Sequence, residues 1–89
     1  MRTVSVAAQV GWVIQRYPLG EGLATVASGV LYEIVPFADP DGSGRVAGYA
    51  VRVDRPMVGG TCERHPGPIR AAREAAEARI ATGGPTDGG

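Results

Sequence analysis

Two runs of alternating apolar residues flank Asp39-Pro40-Asp41-Gly42-Ser43-Gly44, and no other feature constrains the fold of this chain as tightly. Before that stretch, Val30, Tyr32 and Ile34 fall on one side of an extended segment, with Leu31, Glu33 and Val35 on the other. After it, Ala47, Tyr49, Val51 and Val53 alternate with Gly48, Ala50, Arg52 and Asp54. A period of two is that of a β-strand, whose successive side chains point to opposite faces. Asp, Pro, Gly and Ser form tight turns, so the two runs are expected to make a β-hairpin. Pro36 has no N–H to donate to a ladder and is expected to end its strand or lie on a sheet edge.

The connecting stretch also admits a metal-binding reading. Asp39, Asp41 and Ser43 stand at positions 1, 3 and 5 of an EF-hand-like loop, with Gly44 at position 6. Position 12, where a bidentate Glu should close the shell, is Ala50, and the flanks read as strands and not helices. Three weak oxygen donors do not replace the hydration of a hard cation. The turn is therefore the expected role, and no metal or cofactor is expected.

A further alternation opens the chain: Val4, Val6, Ala8, Val10, Trp12 and Ile14. Val6, Val10, Val13 and Tyr17 would also fit a helix, but the valine content and Gly11 favour an extended segment bent near Gly11. Tyr17 to Gly22 reads as a loop by its Pro and Gly content. Leu23 to Ser28 reads either as a short strand or as an irregular connection. Arg55 to Gly67 shows no periodicity and is expected to be a Gly- and Pro-rich connection.

The clearest helix follows. Pro68 suits its first position, and Gly83 can end it in a left-handed conformation. Ile69, Ala72, Ala76 and Ile80 form one stripe, while Arg70–Glu74 and Arg73–Glu77 can pair on the outer side. Two Ile and several Ala bury little area alone, so this helix needs a sheet to lie on. The expected fold is α+β: a small antiparallel sheet of three or four strands with one C-terminal helix packed on one face. Residues 1–83 are expected to form one domain and residues 84–89 a disordered tail.

Composition limits the function classes. A chain of 89 residues builds one small core. Nine basic residues, all Arg, balance nine acidic ones, so no strong field draws the chain to nucleic acid or a membrane surface. Residues 1–20 carry +2 (Arg2, Arg16), residues 21–54 carry −3 (five acids, two Arg) and residues 55–89 carry +1 (five Arg, four acids). Cys62 is the sole cysteine, which excludes an intrachain disulfide. Ser5 and Gln9 interrupt the N-terminal apolar stretch, no cleavage site follows and nothing has the length of a membrane span. A cytoplasmic location is expected.

Catalytic patterns are sparse. Cys62 and His65 are three residues apart, too few for a zinc site, and lack a recognisable orienting group for nucleophilic chemistry. Gly20–Gly22 and Val58–Gly60 lack the spacing of a phosphate loop. The chain is therefore expected not to be an enzyme.

Another protein is the expected partner. Tyr17 and Phe37, at strand ends beside prolines, are the best interface candidates, with the acids Glu33, Asp39 and Asp41 suited to a basic groove. An accessory factor or inhibitor of a larger machine fits this physical type, including a phage or mobile-element inhibitor of the anti-CRISPR kind. A homodimer through an exposed edge strand is a further expectation. The alternative is a small nucleic-acid-binding module using Arg45, Arg52, Arg55, Arg64, Arg70 and Arg73 on a three-stranded sheet. The order of strands and helix over about Val30 to Ile80 resembles, in topology alone, the three-stranded arm-binding domains of phage-type integrases.

Overall fold

The structure, a computed structural model, describes residues 10–82. Among these residues, five strands precede one helix: β1 (Val13–Tyr17), β2 (Gly20–Ala27), β3 (Val30–Ala38), β4 (Val46–Arg55), β5 (Gly59–Pro66) and α1 (Ile69–Ala81). The strands pair antiparallel in sequence order, so the sheet is a meander. The α+β class and the C-terminal helix match the expectation; the described residues form five strands, not three or four.

The extra strands come from segments that read as loops. Tyr17 closes β1 and pairs with Gly20, so Pro18 and Leu19 alone make the turn and Gly20–Gly22 belong to β2. The ambiguous Leu23–Ser28 stretch is strand through Ala27. Ser28 and Gly29 then turn the chain with φ of 52° and 78°. Two successive positive φ values suit a tight hairpin turn, where glycine carries no steric cost. Arg55–Gly67 contains β5. Its Thr61, Glu63 and His65 lie beside Val53, Val51 and Tyr49, while Cys62 and Arg64 lie beside Arg52 and Ala50. Neither set is apolar, so this strand has no amphipathic signature.

The expected N-terminal strand is corrected in part. Residues 4–9 lie outside the described residues, Val10–Trp12 precede the strand, and β1 runs on past Ile14 to Tyr17. Pro36 neither ends its strand nor lies on an outer edge; it is buried within β3, which continues to Ala38. The register shows why it is tolerated. Pairing with β2 stops at Leu23–Ile34, so at Pro36 there is no ladder on that side to interrupt.

Tyr32 and Ile34 of β3 lie directly opposite Val53 and Val51 of β4. All four are buried beneath Ala72 and Ala76 of α1. The two alanines are fully buried and let the helix backbone lie close to the sheet, which the larger strand residues then fill. Burying side chains such as Ile34 and Val51 contributes about 1.5–3 kcal/mol each. Ile69 and Ile80 pack at the two ends of the predicted stripe.

Pro68 sits one residue earlier than predicted, in the capping position, with extended φ −70° and ψ 158°. At the other end the Thr82 N–H donates to the Ala78 carbonyl and its hydroxyl to the Arg79 carbonyl. Gly83 and the expected tail lie outside the described residues. Of the two predicted helix pairs, Arg73–Glu77 forms at 3.9 Å. Arg70–Glu74 does not appear among the ion pairs of the described residues. Glu77 also accepts the indole N–H of Trp12 at 2.8 Å, joining the start of the described chain to its last element. No helix among the described residues is long and apolar enough to cross a membrane.

Candidate functional site

α1 lies chiefly over β3, β4 and β5 on one face of the sheet. Among the described residues, the other face carries no helix. Strand alternation and register place there Tyr17 from β1, Glu33 and Phe37 from β3, Arg52 from β4 and Arg64 from β5. Three of the five predicted protein-contact residues, Tyr17, Glu33 and Phe37, thus share one surface.

Two glycines hold its aromatic rings. A Cβ on Gly22 would meet the Ile34 carbonyl oxygen and lie 2.9 Å from Tyr17 Cε2. One on Gly48 would meet the His65 carbonyl oxygen and lie 2.8 Å from Phe37 Cζ. Each ring therefore rests on bare backbone, a position that any side chain would take from it.

Tyr17 is held at its far end as well. Its hydroxyl donates to Glu33 Oε2 at 2.9 Å, and Glu33 Oε1 lies 3.7 Å from an Arg52 guanidinium nitrogen. Burial of the ring, then the hydrogen bond to the Glu33 carboxylate and its charge, push the Tyr17 hydroxyl up to about 12, with Arg52 partly opposing. Arg64 lies over the Phe37 ring at 5.1 Å, a cation–π contact worth about 0.5–1 kcal/mol at an exposed site.

Asp39 and Asp41 sit in the β3–β4 connection, which is the predicted turn. The Asp41 N–H donates to Asp39 Oδ1 at 3.2 Å, the Ser43 N–H to Asp41 Oδ1 at 2.8 Å and the Arg45 N–H to Ser43 Oγ at 3.2 Å. Backbone donors within the loop thus use an oxygen of each of the three would-be calcium ligands. The Ser43 N–H and hydroxyl hold the Asp41 carboxyl below its ordinary range. Since β3 ends at Ala38, this acidic loop begins at Asp39, two residues beyond Phe37.

The six arginines of the nucleic-acid reading do not converge. Arg52 and Arg64 are on the open face, Arg45 is in the turn 3.8 Å from Asp41, Arg55 is on the helix side of β4, and Arg70 and Arg73 are on α1. Cys62 and His65 are likewise separated. Cys62 pairs with Arg52 on the open face, whereas His65 pairs with Tyr49 on the covered one. His65 Nε2 lies 3.6 Å from Glu63 Oε1, which also receives Arg79 at 3.4 Å.

Sequence reasoning missed the apolar part of this face. Val13 and Val26 project there, 61% and 67% exposed. The signal was present in β3, where Leu31 and Val35 make the second side of the strand apolar too. A recess of about 350 Å³ also opens beside Arg52, Asp54 and Cys62, where Gly60 has no side chain. Compared with protein-family models, with curated proteins and with solved structures, the chain matches none of them.

Proposed function

We propose that this chain is a non-enzymatic binding module whose open sheet face engages another protein. The observation that carries the reading is the combination on that face of two aromatic rings pinned over glycines with exposed valines. Pinned rings offer large contact area at little further cost in ordering, which favours association. Exposed apolar surface beside aromatics and arginine is the usual composition of an interface centre. The acidic loop beside Phe37 suits a partner with a basic groove, as an inhibitor of a larger machine would require. An anti-CRISPR type of phage or mobile-element inhibitor is one form this could take.

Charge pairing supports a protein partner over nucleic acid. Phosphate binding needs cations free to replace counterions. Arg45, Arg52, Arg73 and Arg79 each have a carboxylate within 4 Å. The placement of Cys62 and His65 on opposite faces supports a role without covalent catalysis.

The test is affinity capture with the wild-type chain, a Tyr17→Ala/Phe37→Ala variant and an Asp39→Arg/Asp41→Arg variant, each checked for folding by circular dichroism. The wild type is expected to retain one partner, the aromatic variant to lose it and the loop variant to hold it more weakly. Equal capture by all three would remove this face from the interaction. Strong, steeply salt-sensitive retention on heparin would instead favour the nucleic-acid alternative.

A further inference from the structure

The two edges of the sheet among the described residues, β1 and β5, are finished differently. β5 has features that discourage pairing: Gly59 and Gly60, the charged Glu63 and Arg64, and Pro66 at its end. β1 reads Val-Ile-Gln-Arg-Tyr, with no glycine or proline and a single charge. Its Val13 and Ile14 point to opposite faces, and Ile14 is 64% exposed. Both sides of this edge are therefore apolar and uncovered at its N-terminal end.

We propose that β1 pairs with β1 of a second copy, antiparallel about a two-fold axis through Gln15. The inference rests on the sheet edge; it shares Val13 and Tyr17 with the open face proposed above, and Ile14, on the other side of the strand, separates the two. Directly opposed residues of an antiparallel pair share a face, so a two-fold register must centre on a residue and not between two. Centred on Gln15, Val13 lies across from Tyr17 of the second copy, an aromatic–β-branched pair of the kind that stabilises sheets. Ile14 lies across from Arg16, whose aliphatic stem can cover it while the guanidinium stays in water. The two Gln15 amides lie across from each other and can exchange hydrogen bonds. Centring on Ile14 would instead set Val13 against Gln15 and lose the aromatic pair.

Charge fits the same register. Arg16, the one charge of the strand, faces no cation across the axis and keeps Glu21 beside it in its own hairpin. The net charge of zero adds no repulsion between copies. A two-fold contact also closes on itself, whereas β1 on β5 would grow without limit, and the finish of β5 opposes that. Five residues of edge bury less than the roughly 1,200 Å² of a stable interface. The dimer is therefore expected to dissociate in the micromolar range or above, on the order of 10–100 µM.

Sedimentation velocity of the full chain between about 1 µM and 1 mM tests this. A monomer–dimer equilibrium is expected, weakened at least about tenfold by Ile14→Lys, an edge charge that blocks strand addition. Circular dichroism and melting should show that variant still folded. A second variant, Gln15→Cys in a Cys62→Ser background, should cross-link to a dimer on mild oxidation, while Met57→Cys in the same background should not. If Ile14→Lys fails to fold, the cross-link decides. A monomer at every concentration overturns the proposal, whether the edge is then free, covered by residues 1–9 or taken by a foreign strand. So does open-ended growth, or a dimer that forms without the Gln15→Cys cross-link.

Discussion

The covered and open faces of the sheet are made by the same strands, residue by alternate residue, yet they treat apolar side chains differently. Ile34 is fully buried beneath α1, while Val35, its neighbour in β3, is half-buried on a face that carries no helix among the described residues. Under the helix, the alanines allow close approach and Tyr32, Ile34, Val51 and Val53 are enclosed. On the other face, two glycines give Tyr17 and Phe37 the same closeness to backbone, and among the described residues no helix covers them, although Arg64 lies over the Phe37 ring. Small residues thus do one job in two places: in α1 they bring a second layer down, and in β2 and β4 they seat a ring at the surface.

That contrast can be broken or sharpened by substitution. The largest effect should come from Ile34→Ala, which is expected to lose about 2–5 kcal/mol in chemical denaturation. Val35→Ala, one residue away on the open face, should lose less than half as much. Similar losses at both would mean that the open face is packed like the core. Gly48→Ala comes next, at about 1–3 kcal/mol, since the added methyl must displace the His65 carbonyl and the Phe37 ring.

Tyr17→Phe should follow, at about 0.5–1.5 kcal/mol, for the bond to Glu33. Its pH dependence is a sharper readout. The Tyr17 hydroxyl titrates near 12 in the fold, above its ordinary 10.0, so the fold favours the neutral form. That contribution is complete below pH 10 and is lost as pH rises towards 12. Tyr17→Phe should therefore flatten part of the alkaline loss of stability. A remainder should persist from Tyr32, which burial also raises. Asp41→Asn should matter least. Its carboxyl is held below its ordinary range, so any contribution exists above that range and disappears on acidification. At so exposed a site the change should fall within the scatter of a thermal melt.

The parts of this fold that could be read from the sequence are those where burial enforces a pattern. β3, β4 and α1 form the core, so their alternation and helical stripe were visible, as was the turn between the two strands. β5 was invisible because an edge strand with Thr61, Glu63 and His65 towards the helix side needs no apolar period. The first hairpin was hidden for another reason: its turn spends only Pro18 and Leu19, and the surrounding glycines belong to strands. Pro36 misled because proline rules concern ladders, and the sequence does not show where a neighbouring ladder stops. Tyr17, Glu33 and Phe37 were legible as interface candidates singly. Their common face depended on the register, which no local pattern states.

The bond between Trp12 and Glu77 has a kinetic consequence. In a meander, each strand can zip onto its predecessor by closing a short loop, so most contacts form early and cheaply in chain entropy. Indole docking is different: it spans 65 residues and requires the terminal helix to be in place. The lone tryptophan is thus a built-in optical probe of the last closure. Its fluorescence in a stopped-flow refolding experiment should lag the far-ultraviolet signal if hairpin zippering precedes helix docking.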